Sequence, residues 1–91
     1  MKETHFAYKI THAASRIIFT GAEIEEDHMA NLLLRIKADT SEAIYWVFKQ
    51  VDNEPKQQMC IVDRLANRIY YHHSGVVDNL DETIHKLTHG I

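Results

Sequence analysis

Apolar and polar residues alternate most clearly in the second half of the chain. In residues 42–51, EAIYWVFKQV, Ile44, Trp46 and Phe48 alternate with Tyr45, Val47 and Lys49. Alternation with β-branched and aromatic residues predicts a half-buried strand. The run Asp52-Asn53-Glu54-Pro55-Lys56 follows and reads as a turn. Residues 57–64, QQMCIVDR, and 68–73, RIYYHH, predict two more strands around the short connection Leu65-Ala66-Asn67. Connections this short between consecutive strands imply an antiparallel meander.

After Val76 the period changes. Leu80, Ile84, Leu87 and Ile91 recur at helical spacing. Asp78 or Asn79 can cap the start of this helix, and Asp81 and Glu82 suit the positive end of its dipole. Lys86 and His89 stand near its end, and Gly90 is placed to terminate it.

The first half is less decided. HFAYKIT alternates and predicts a strand, and RIIFTGAEI predicts another, although Ala13-Ala14 makes a poor turn between them. Residues 25–37, EEDHMANLLLRIK, are compatible with a helix capped near Asp27. Leu32, Leu34 and Ile36 equally make one face of a strand over 32–38, which would extend the meander through Asp39-Thr40-Ser41. The strand reading is preferred here. The expected fold is therefore α+β: one domain over 1–91, with an antiparallel meander of four to six strands and a C-terminal helix packed on one face.

Length and composition agree with one domain. The 91 residues are 45% hydrophobic and 25% charged, enough apolar surface to offset chain entropy around a thin core. Cys60 is the only cysteine, so no internal disulfide framework exists, and a reducing, cytoplasmic setting is expected. MKETHFAYKITH lacks the apolar stretch of a signal peptide. Apolar runs such as Ile44 to Phe48 fall far short of the ~20 residues a membrane helix needs. Net charge is −3 with the seven histidines neutral, which disfavours nucleic acid and anionic membrane as generic partners. Protonating those histidines would reverse the sign.

Candidate chemistry is sparse. His85 and His89 lie four apart on the predicted helix, a spacing that metal sites use, and His72 or His73 would be the nearest further donor. The usual reading of such a pair is two solvated histidines, with His85 beside Asp81. Cys60, within MCIV, reads as a buried core thiol. The three glycines are widely spaced and form no phosphate cradle, and no acidic pair stands out as a general acid and base. No cofactor is implied.

Charge is divided along the chain: acids crowd the proposed turns, while bases fall in the strands. On the expected register one face carries Arg35, Lys37, Lys49 and Arg64 among Tyr45, Val47, Tyr70 and His72. The other carries Leu34, Ile36, Ile44, Trp46, Phe48, Met59, Ile61, Ile69 and Tyr71 as the core. The candidate binding set is thus Arg35, Tyr45, Lys49, Arg64 and Tyr70. The expected function is a small non-enzymatic binding or regulatory protein that acts through protein contacts as a homodimer. The alternatives are anion or nucleic-acid binding on that basic, tyrosine-containing face, and metal binding by histidines.

Overall fold

The computed structural model describes residues 1–13, 16–19, 23–39 and 43–89. Strand β1 (Glu3–Ala13) is the longest, and its outer edge is shared by two short strands, β2 (Arg16–Phe19) and β3 (Ile24–Glu26). Its inner edge pairs antiparallel with β4 (Ile44–Val51), and the meander continues through β5 (Gln57–Asp63) and β6 (Arg68–Tyr71) to β7 (Val77–Asn79). Strand order is β2-β1-β4-β5-β6-β7, with β3 beside it on β1. Helices α1 (Met29–Ala38) and α2 (Leu80–His89) complete the α+β fold. Among the described residues no helix is long and apolar enough to cross a membrane.

Residues 32–38 are helix, not the strand expected. Met29, Leu32, Leu33 and Ile36 stand at i, i+3, i+4 and i+7, a complete helical stripe, and Leu32, Leu33 and Ile36 are all fully buried. Leu34, which a strand would have aligned with Leu32 and Ile36, is 44% exposed. His28 rather than Asp27 is the N-cap, and its side chain makes no capping hydrogen bond.

The helices cover the sheet face that carries Ala7, Tyr45, Val47, Cys60, Val62 and Ile69, and these residues with Leu32, Leu33, Ile36 and Leu80 make the core. The two faces of β4 and β5 are therefore exchanged relative to expectation: Ile44, Trp46, Phe48 and Ile61 point away from the helices, and Tyr45 and Val47 point into them. The register fixes this, since Ala7 pairs with Val47 and Val47 with Cys60. Strand β6 keeps its expected facing, with Ile69 buried and Tyr71 packed against the core. Both faces of β4 are apolar, so alternation alone does not say which is inward. Most of the core residues of β1, β4 and β5 are small, with Tyr45 the exception. Alanine, valine and cysteine let the helices approach the sheet closely, whereas tryptophan and phenylalanine hold them off.

Among the described residues three turns hold special backbone. Asp52 closes the β4–β5 hairpin at φ 49°, with its N–H donating to the Lys2 carbonyl at 2.7 Å. Gly75 turns β6 into β7 at φ 69°. Asn67 follows β5 at φ 58° and clamps the start of α2: its carbonyl accepts the Leu80 N–H at 2.9 Å, and its Oδ1 accepts that of Asp81 at 3.2 Å. Asn79, one of the two caps expected, accepts the Glu82 N–H at 3.0 Å.

Helix α2 packs beside β7 and α1. Leu80 is fully buried and Ile84 half-buried, but Leu87 is 47% exposed, contrary to the stripe expected to face the sheet. The helix starts at the last strand of the sheet, so its second half has little beneath it. Ile91 lies outside the described residues.

Candidate functional site

The helix-free face of the sheet gathers the large apolar side chains left out of the core. One row crosses five strands: Tyr8 pairs with Trp46, Trp46 with Ile61, Ile61 with Tyr70, and Tyr70 with Val77. Four strand spacings make the row about 19 Å long. Phe6 and Phe48 pair on one side of it, Ile10 and Ile44 on the other. A bulge between Val47 and Phe48 sets Phe48 opposite Gln58.

The β1–β4 end of this face is a built aromatic cluster. The Tyr8 and Phe48 rings meet edge to face at 5.5 Å, and Trp46 lies 6.0 Å from Phe48. Lys56, from the hairpin loop, reaches over them. Its Nζ stands 4.0 Å from the Phe6 ring centre and donates to the Tyr8 hydroxyl at 2.6 Å. That hydrogen bond, helped by Glu23 at 3.5 Å, raises the Lys56 ammonium above its ordinary range. Phe6 is consequently only 6% exposed, while Tyr70 and Val77 at the far end are 36% and 51% exposed. Charge among the described residues of the face is mixed, with Glu25 opposite Phe6 as an acid outside any ion pair. Lys56 pairs with Glu23, and Asp63 and Arg68 are cross-strand partners.

The candidate binding set is not brought together. Tyr70 lies on the helix-free face. Tyr45 is 2% exposed beneath the helices, where its hydroxyl donates to Asp39, itself 2.9 Å from Lys9. Burial, with the Asp39 carboxylate next, drives the Tyr45 phenol well above its ordinary range. Arg35 is on α1, paired with Glu26 at 2.7 Å. Arg64 is in the turn after β5, with its Nε donating to the Lys37 carbonyl at 3.2 Å near the end of α1. Lys49 is on the helix-side face, away from Tyr70. The five residues are dispersed because residues 32–38 are helix and β4 turns Tyr45 and Lys49 toward the helix side. What the expected register missed is the row through Tyr8, Trp46, Ile61 and Tyr70. Its signal was present in the aromatic content of both β1 and β4 on one side of the pleat.

His85 and His89 do share a side of α2, with ring centres 4.3 Å apart. Among the described residues no group of three or more His, Cys, Asp or Glu is placed to hold a metal ion. His72 and His73 lie in the turn after β6 and contact one another instead, at 5.0 Å. Lys37 on α1 pairs with Asp81 and lowers its carboxyl from the ordinary range, so Asp81 is tied to α1 as well as placed one turn before His85.

Cys60 is fully buried, and burial pushes its thiol up to about 12. At neutral pH it is a thiol and not a nucleophilic thiolate. Its reaction with a disulfide reagent is expected to be at least about a hundredfold slower in buffer than in denaturant. Stopped-flow measurement of thiol release checks this. Comparable rates would place Cys60 at the surface.

No family model, no curated protein and no solved structure matches the chain.

Proposed function

We propose that this chain is a small non-enzymatic binding protein that acts through protein contacts, and that it pairs with a second copy of itself through the helix-free sheet face. The row of Tyr8, Trp46, Ile61, Tyr70 and Val77 carries this reading. Its chemistry is apolar contact and aromatic area, the usual material of interface centres. A second copy suits the face on two counts. Its charges among the described residues have both signs side by side, Lys56 with Glu23 and Arg68 opposite Asp63, with Glu25 as one further acid, so two copies can meet there with little net repulsion despite the net charge of −3. Its size is also sufficient. Six strands by about seven residues give roughly 550 Å² in projection per copy, so a pair buries on the order of 1,100 Å² or more, near the threshold of specific interfaces. Sheets pack in this way about 10 Å apart. Nucleic acid is disfavoured because Lys56 is committed to Glu23, and Asp63 and Glu25 stand on the same face as Arg68, which leaves few cations for phosphates beside the aromatic row.

Sedimentation velocity tests the pairing. The wild-type chain is expected to be dimeric at ~100 μM. Tyr70→Glu with Val77→Asp, at two of the most exposed positions of the row, should give a monomer whose circular dichroism is unchanged. A wild-type monomer at that concentration, or a dimer indifferent to the double substitution, overturns the reading.

A further inference from the structure

A second site lies at the open end of the helix side of the sheet. Lys49 of β4 pairs with His5 on one side and Gln57 on the other. The turn after β6 folds back beside them: the His72 N–H donates to the Met59 carbonyl at 2.9 Å, and the Gly75 N–H to the Tyr71 carbonyl at 3.1 Å. The result is a depression with Met59 and Tyr71 as walls, and with Lys49, Gln57, Gln58, His73 and Ser74 around it. The walls are anchored, since both pack against the core.

The polar groups facing this depression share one property. Lys49 carries three donors, Gln57 opposite it carries an amide NH2 group, and His73 and Ser74 can each donate, while no carboxylate is among the described lining residues. The Ser74 Oγ accepts the Val76 N–H at 3.2 Å, which leaves its own proton to donate elsewhere. In a chain with 13 acids, four of the described cations are ion-paired, Lys9 with Asp39, Arg35 with Glu26, Lys37 with Asp81 and Lys56 with Glu23, while Lys2, Arg68 and Lys86 have no ion pair among the described residues but are exposed. Lys49 is half-buried and has no acidic or hydrogen-bonding partner among the described residues. A concave site that carries a positive charge and no carboxylate among its lining residues attracts an anion.

We propose that this depression binds a carboxylate. One fixed positive charge matches one negative charge, and two carboxylate oxygens can accept from Lys49 together with the Gln57 amide or Ser74. A phosphate carries more than one negative charge at neutral pH, and the single ammonium among the lining residues would leave part of it uncompensated. The site is separate from the helix-free face and stands whether or not the chain pairs with itself. The carboxylate can come from a free organic acid or from a glutamate side chain of a peptide.

Titration followed by nitrogen-15 NMR, at constant ionic strength balanced with chloride, tests the site. The probes are acetate, N-acetylglutamate amide and inorganic phosphate. Acetate or N-acetylglutamate amide is expected to saturate shifts at Gln57, Gln58 and Ser74 with a Kd on the order of 1–10 mM. The tighter of the two identifies a free acid or a peptide side chain as the source. Lys49→Met, which keeps the stem and removes the charge, should weaken binding by at least about fivefold, and Lys49→Arg should hold it within about threefold. Shifts that do not saturate, or that are unchanged in Lys49→Met, overturn the proposal. So does phosphate binding tighter than either carboxylate.

Discussion

Leu33→Ala is expected to lower the free energy of unfolding by about 2–5 kcal/mol, and Leu34→Ala by no more than about 0.5 kcal/mol. Leu33 is fully buried in α1 against the core, while Leu34 next to it is 44% exposed. Truncating Leu33 removes the transfer energy of its side chain and leaves a cavity that a thin core can close only in part. A domain of this size has a total stability of about 5–14 kcal/mol, so the variant should show a markedly lower denaturant midpoint. The two variants together discriminate helix from strand. On a strand over 32–38, Leu34 would share the buried face of Leu32 and Ile36, and the order of the two effects would reverse. Urea melts of both, with the slope m compared to detect a change in the unfolded state, give the answer directly.

Local patterns in this sequence carry the elements better than they carry the faces. The meander β4–β5–β6 and helix α2 follow from alternation, turn residues and caps that all agree, and Asn79 makes one of the two caps expected. The segment at 29–38 shows where one pattern masks another. Leu32, Leu34 and Ile36 satisfy a period of two, but adding Met29 and Leu33 completes a helical stripe, and no turn chemistry before residue 39 supports a strand. The extra strand β7 has three residues, all exposed, so it has neither the length nor the apolar content that would mark it. Leu87 illustrates a different limit. A helical stripe predicts which side of a helix is apolar, but only the partner's extent decides how much of it is covered.

The candidate site was lost at the step from strands to faces. A one-residue error in facing moves every side chain of a strand to the opposite side of the sheet. On β4 both choices look like a core, because Tyr45 and Val47 compete with Ile44, Trp46 and Phe48. Burying the larger set places Lys49 and Tyr70 on one surface. In the structure the sheet buries its smaller residues under α1 and α2, and Lys49 turns up in a depression of its own. Side-chain volume beneath the helices, rather than hydrophobicity, was the usable signal.

That signal yields a second stability prediction. Ala7 is fully buried and pairs with Val47, also fully buried, on the helix side of the sheet. Leucine is a better strand residue than alanine and more hydrophobic, so propensity and burial alone would make Ala7→Leu stabilising. Packing argues the other way. Three added carbons at a site without free volume must displace α1 or force rotamers off their minima, and overpacking of this kind costs about 1–3 kcal/mol. The same added bulk on the other face should be tolerated, because Ile61 is half-buried there with no helix above it. Ile61→Phe is therefore expected to change stability by less than about 1 kcal/mol. Thermal and urea melts of the two variants, at a protein concentration where the wild-type chain and both variants share one oligomeric state, measure the contrast. A stabilised Ala7→Leu would mean that α1 sits farther from β1 than the buried alanine implies, and would remove size as the reason the aromatic side chains lie on the helix-free face.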